Sequence, residues 1–142
     1  MRKRCRRTIR REAAPTVVAY YLNPEVSIQE RMAVVAIRAG AAEVCHFDVL
    51  ADCRDMLTLA ACEKNDAQTL AVCEIGLVAL ENIKARYFER QRIGATGDEI
   101  QALQALVDVS EDFWKRQGGA LFISAEAALS KARDEFRKGS AG

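Results

Sequence analysis

The chain has 142 residues, is 50 % hydrophobic and 29 % charged, and carries a formal net charge of +1, which excludes a disordered polyelectrolyte and predicts one globular domain with a sizeable core. No apolar run reaches the roughly 18 residues that a membrane-spanning helix needs, so no membrane span is expected. Cys5, Cys45, Cys53, Cys62 and Cys73 follow no framework spacing, which argues for a reducing cytosol over a disulfide-stapled secreted scaffold.

The small net charge conceals a strong asymmetry. Met1 to Arg11 contain Arg2, Lys3, Arg4, Arg6, Arg7, Arg10 and Arg11 and no acid. Glu12 brings the first fourteen residues to seven basic groups against one acid, while the other 128 hold 14 basic and 19 acidic groups. A like-charge block repels itself and seldom packs, so residues 1–14 read as a flexible basic arm ahead of a single helical domain over residues 15–142. The arm begins like a signal-peptide n-region, but the apolar stretch Thr16–Leu22 stops at Asn23-Pro24, too soon for an h-region. An arginine-rich, acid-poor start is also the composition of a mitochondrial-type presequence. Pro15 and Pro24 bias residues 15–25 toward extended backbone, with Tyr20, Tyr21 and Leu22 as a strap across the body.

Beyond Pro24 no proline interrupts the chain, and helical patterns follow one another. Ser27 with Glu30 fits a capping box, with Val26 as the preceding staple residue. Ile28, Met32, Val35 and Ala39 then give the predicted core face of a first helix, stopped at Gly40. A second helix is expected from about Phe47 to Lys64, burying Phe47, Leu50, Cys53 or Arg54, Leu57 and Ala60. Asn65-Asp66 breaks it, and Asp66 can cap the third helix, about Ala67 to Gln91.

That third helix carries an apolar stripe of Leu70, Cys73, Leu77, Leu80, Ile83 or Lys84, and Tyr87. Its second half is basic on the other side, through Lys84, Arg86 and Arg90, with Arg92 just beyond. Gly94 to Gly97 ends it, and Thr96 with Glu99 forms another capping box. Ile100, Leu103, Leu106/Val107 and Phe113 define a fourth helix to about Gln117, closed by Gly118-Gly119. Leu121-Phe122-Ile123 is read as a crossing segment, and Ser124 as the cap of a last helix with Ala128, Leu129, Ala132 and Phe136. The sum is an all-α bundle of about five helices.

Chemistry-bearing constellations are few. The chain has no paired C-x-x-C or H-x₃₋₅-H ligands, so neither a structural zinc site nor any other metal or cofactor is expected. Cys53 and Cys73 lie on apolar stripes and read as core residues. His46 is the sole histidine, and just before a helix it reads as a solvated or capping residue rather than the base of a Cys–His pair. Asp52 with Asp55, and Glu111 with Asp112, lie on polar helix faces. Gly94–Gly97 lacks the lysine of a P-loop and the spacing of a dinucleotide fingerprint. No catalytic residue is assigned, and no enzymatic activity is expected.

What remains points to binding. A flexible basic arm can neutralise phosphates with counter-ion release, and Lys84, Arg86, Arg90 and Arg92 would extend that surface. The arm also reads as a solubilising end, or as a dock for a protein. Trp114 sits beside Phe113 ahead of Lys115-Arg116, so one of the two rings is expected to face partly outward; Trp114 reads first as core packing at a helix end, and alternatively as an exposed anchor for a partner. Broad apolar faces on the third and fourth helices suit a monomer or a symmetric homodimer.

The order of features, namely a basic arm, Arg38-Ala39-Gly40, Asp48-Val49-Leu50-Ala51-Asp52 in a helix, a long helix with a basic end, then Ala95-Thr96-Gly97 before Glu99-Ile100-Gln101-Ala102-Leu103, resembles a diverse group of small helical proteins of proteobacterial phages and prophages. The resemblance implies a bacterial host cytoplasm and stoichiometric binding to host machinery, defence complexes among it. It carries over no catalytic residue. The expectation is therefore a non-enzymatic accessory protein that binds a macromolecular partner, with a nucleic-acid-binding module as the alternative.

Overall fold

The computed structural model describes residues 24–117 and 119–140. The basic arm and the strap of Tyr20, Tyr21 and Leu22 lie outside them. The described chain is all-α, as the patterning predicts: α1 (Pro24–Arg38), α2 (Val44–Glu63), α3 (Ala67–Arg90), α4 (Gly97–Lys115) and α5 (Gly119–Ser140). Short connections make α1 to α4 an antiparallel bundle, in which α1 and α3 each pack on both α2 and α4. The last two also touch across the middle, and α5 lies on the outside of α2.

Most predicted punctuation falls in place. Gly40 adopts φ +71°, and the backbone N–H of Ala41 donates to Ala36 O at 2.9 Å, the left-handed ending that glycine permits without a Cβ penalty. The Asp66 carboxylate accepts from Thr69 N at 3.1 Å and from Thr69 Oγ1 at 2.7 Å, capping α3. The Thr96–Glu99 box closes reciprocally, Thr96 N donating to Glu99 Oε1 at 2.9 Å and Glu99 N to Thr96 Oγ1 at 3.3 Å.

Three predicted features are corrected. α1 begins at Pro24, ahead of the expected start, because proline's fixed φ suits a first helical position. Ser27 is therefore inside the helix and caps nothing, and Glu30 turns into the core. The buried face of α1 is Ala33, Val34 and Ile37, while Ile28, Met32 and Val35 point outward. α1 is apolar on two sides, and α2 and α4 take up the side with the alanine.

α2 begins at Val44 rather than Phe47, because His46 completes the cap: the Glu43 backbone N–H donates to His46 Nδ1 at 2.9 Å. Leu121-Phe122-Ile123 is the first turns of α5 rather than a crossing segment, and Ser124 is mid-helix. Nothing between Gly119 and Ser140 breaks a helix, and Leu121 with Ala125 (i, i+4) buries its inner edge. Of the face predicted there, Leu129 is half-buried, whereas Ala128, Ala132 and Phe136 are exposed.

The core is Leu50, Leu57, Ile83, Leu103, Leu106, Val107 and Phe113 with Cys53 and Cys73 among them, as the stripes predict. Gly76 is where α3 comes closest to α4: a Cβ there would lie 3.2 Å from Leu106 Cδ2.

Candidate functional site

The basic end of α3 is only partly free. Arg86 is half-buried, pairs with the Glu99 carboxylate and donates to Gly94 O at 3.1 Å, so it clamps the α3–α4 turn. Burial pushes the Glu99 carboxyl up, but the Arg86 side chain and the Thr96 N–H outweigh it and leave the group below the usual carboxylate range. Arg90 and Arg92 are exposed, make no ion pair among the described residues, and line a shallow depression with Arg86 and Gly94–Thr96. Lys84 lines a different depression, with Val44, Phe47, Asp48, Tyr87 and Phe88. The structure thus gathers Arg90 and Arg92, sets Lys84 apart and commits Arg86 to structure. Arg2, Lys3, Arg4, Arg6, Arg7, Arg10 and Arg11 lie outside the described residues.

Trp114 does not face outward. It is 2 % exposed and Phe113 0 %, because α5 folds back over the end of α4 and covers the second ring. The Phe113 and Trp114 rings meet edge-on with centroids 5.2 Å apart, and Trp114 meets Phe122 of α5 edge-on at 5.0 Å. An exposed tryptophan anchor is thereby replaced by a core cluster.

The outward face of α1 presents what the buried face does not need. Ile28, Met32 and Val35 stand at i, i+4 and i+7 on one side, each more than half exposed. Ile75 and Val78 stand out in the same way from α3. Beside the α1 row, Arg31 bonds to Asp108 at 3.1 Å and pairs with Glu111, which also holds Lys115 at 3.1 Å.

The third feature is polar and buried. Glu30 of α1, Cys53 of α2 and Ser110 of α4 meet between their helices, with Glu30 6 % exposed and Ser110 1 %. Among the described residues, Glu30 Oε2 has no hydrogen-bond partner. Desolvation pushes the Glu30 carboxyl up to about 7, against the opposing pull of the Cys53 thiol and Arg31, and Glu111 adds to the rise. Burial likewise pushes the Cys53 thiol well up, with Glu30 adding to it. Glu30 and Cys53 open on a cleft of about 200 Å³ lined also by Val26, Val49, Met56, Trp114 and Phe122, with Gln29 and Asp52.

Glu30 escapes a local reading because its i+3 relation to Ser27 imitates a capping box. Its shared face with Ala33, Val34 and Ile37 is the signal that marks it as inward. Cys45 and Cys62 are exposed and away from this cluster, and no group of three His, Cys, Asp or Glu among the described residues is placed to hold a metal. No helix among them is long and apolar enough to cross a membrane. Taken together the described chain is a helical bundle with an unpartnered apolar helix face, a basic turn and an acid-floored cleft. No protein-family model, curated protein or solved structure matches it.

Proposed function

We propose that this chain is a non-enzymatic accessory protein that works by binding a protein partner through the outward face of α1. The observation that carries the reading is the row Ile28, Met32, Val35, three large apolar side chains in solvent on a helix whose other side already fills the core. Their i, i+4, i+7 spacing suits the apolar face of an amphipathic helix on the partner. The Arg31–Asp108–Glu111 pairs beside the row supply the polar rim such an interface needs. The resemblance to small phage and prophage proteins makes bacterial host machinery, including defence complexes, the proposed source of that partner. The non-enzymatic half rests on the groups that would have to react. Cys53 is buried and held away from its thiolate form, and His46 spends Nδ1 on the start of α2.

Met32→Glu tests this. The site is exposed, so the unfolding free energy is expected to change by no more than about 0.5 kcal/mol. A protein retained from bacterial lysate by the immobilised wild-type chain is expected to be retained about tenfold less by the variant, since a charge is placed in an apolar contact. Equal retention by both chains, or none by either, overturns the proposal.

A second reading has its own observation, the unpaired Arg90 and Arg92 at the α3–α4 turn. In it the chain grips nucleic-acid phosphates through these two and the basic arm. Binding to double-stranded DNA is then expected to fall by at least about tenfold between roughly 50 and 300 mM salt. It should also weaken in an Arg90→Gln/Arg92→Gln double variant. Salt-insensitive or absent binding ends this reading.

A further inference from the structure

We propose that the cleft between α1, α2 and the α4–α5 corner binds a primary ammonium group carried on an apolar body of about one ring or six carbons, with Glu30 as its counter-charge. This site is separate from the outward face of α1 and stands or falls independently of it.

Three observations lead there. The first is the orphan acceptor. Glu30 is nine-tenths buried, lines the cleft, and its Oε2 has no partner among the described residues. A buried carboxyl oxygen without a hydrogen bond is costly, and where one persists beside a cleft it marks a candidate place for a ligand. The second is shape. About 200 Å³ walled by Val26, Val49, Met56, Trp114 and Phe122 exceeds the about 150 Å³ of a cavity that accepts benzene, so a ring or a short alkyl chain fits.

The third observation is the sign of the charge. The charged side chains that line the cleft are both acids, Glu30 and Asp52, with the Cys53 thiol and the Gln29 amide beside them. Two arginines stand near, and both are held by carboxylates: Arg31 by Asp108 and Glu111, Arg133 of α5 by Asp52. Glu111 of α4 also acts on Glu30, and its effect is repulsive. An anion entering the cleft would therefore face acidic groups, with no free cation beside them among the described residues. An ammonium at the Glu30 carboxyl supplies a hydrogen-bond donor and the charge that lets Glu30 ionise inside the protein. The apolar walls take up its body, and Trp114 and Phe122 provide aromatic surface beside the cation.

Trp114 is the sole tryptophan and forms part of the wall, so its fluorescence reports the site directly. The full chain is titrated at about pH 8 with n-hexylammonium and with hexan-1-ol, which has the same body without the charge. A saturable Trp114 response is expected, about tenfold or more tighter for the ammonium than for the alcohol. Glu30→Gln is expected to remove that preference. In the wild-type chain the ammonium affinity is expected to fall about tenfold or more at about pH 5.5, where hexylammonium keeps its charge and Glu30 takes up a proton.

Equal binding of alcohol and ammonium, an unchanged preference in Glu30→Gln, an affinity independent of pH, or no saturable response up to about 10 mM each overturns the proposal. The pH comparison uses the unaltered chain and decides the matter even where the glutamine variant does not fold. Nα-acetyl-lysine amide separates the two sources of such a cation. Affinity within about threefold of hexylammonium assigns the site to a lysine side chain, and affinity at least about tenfold weaker assigns it to a free amine.

Discussion

Phe113→Ala is expected to lower the unfolding free energy by about 3–5 kcal/mol, a large share of the roughly 5–15 kcal/mol that holds a domain together. The ring is 0 % exposed, and its removal leaves a space bounded by side chains that are themselves locked. Its edge-on contact with Trp114 goes as well, and through it the stacking order Phe113, Trp114, Phe122 that joins α4 to α5. Two readouts are expected to move together in urea unfolding. The midpoint should shift strongly, and Trp114 emission should move toward that of an exposed indole before the helices melt, because α5 no longer has a firm seat. A loss below about 1 kcal/mol would mean that Phe113 lies outside a packed core, and the three-ring cluster with it.

That cluster also shows where reading the chain locally succeeds and where it stops. Asp66, Gly40 and the Thr96–Glu99 box act within three or four residues, and the structure places them as the sequence predicts. The stripes of α2 and of α4 are likewise visible, since Leu50, Cys53, Leu57 and Ala60 in one and Leu103, Leu106, Val107 and Phe113 in the other are the positions that are buried. α1 offers two such stripes. Ile28, Met32, Val35 form as good a helical stripe as Ala33, Val34, Ile37, and only the surfaces of α2 and α4 select between them.

Adjacent rings give a similar ambiguity. Side chains one residue apart point about 100° apart on a helix, so Phe113 and Trp114 are both buried only because two elements cover the end of α4. The second of these, α5, begins at Gly119, earlier than its serine suggested. Arg86 reads as a phosphate ligand until Glu99, in the next helix, is seen to hold it. The acid-floored cleft is the least legible feature, because Glu30, Cys53 and Ser110 come from three helices and no spacing joins them.

Glu30 is expected to make the bundle less stable as pH rises, the reverse of what paired carboxylates do. A carboxyl at about 7 in the folded chain, against the ordinary 4.5, binds its proton more tightly folded than unfolded. Its contribution is therefore fully present below about pH 4.5 and is lost as pH rises through about 7, with a total of about 3 kcal/mol. Asp66, Glu99 and Glu111 are shifted the other way, so their contributions are lost only as pH falls below the ordinary carboxylate range. Cys53 and Cys73 are raised from 9.0 and begin to matter only above about pH 8.

The window between about pH 5 and 8 thus isolates Glu30 when wild type is compared with Glu30→Gln. The groups that face it, Arg31 on its own helix, Cys53 and Asp52 on α2, Asp108 and Glu111 on α4 and Arg133 on α5, are common to both chains and cancel in the difference. Urea unfolding across that window is expected to show wild type losing about 2.5 kcal/mol relative to the variant. A constant difference between the chains would mean that Glu30 reaches water and is not desolvated. The same experiment repeated with hexylammonium present carries the argument from stability to binding. A cation that settles against the Glu30 carboxylate stabilises the ionised form, so it is expected to return much of the loss at pH 8 to wild type and none of it to Glu30→Gln. A carboxyl that costs the folded chain stability while the cleft is empty then contributes to holding the ligand when it is filled.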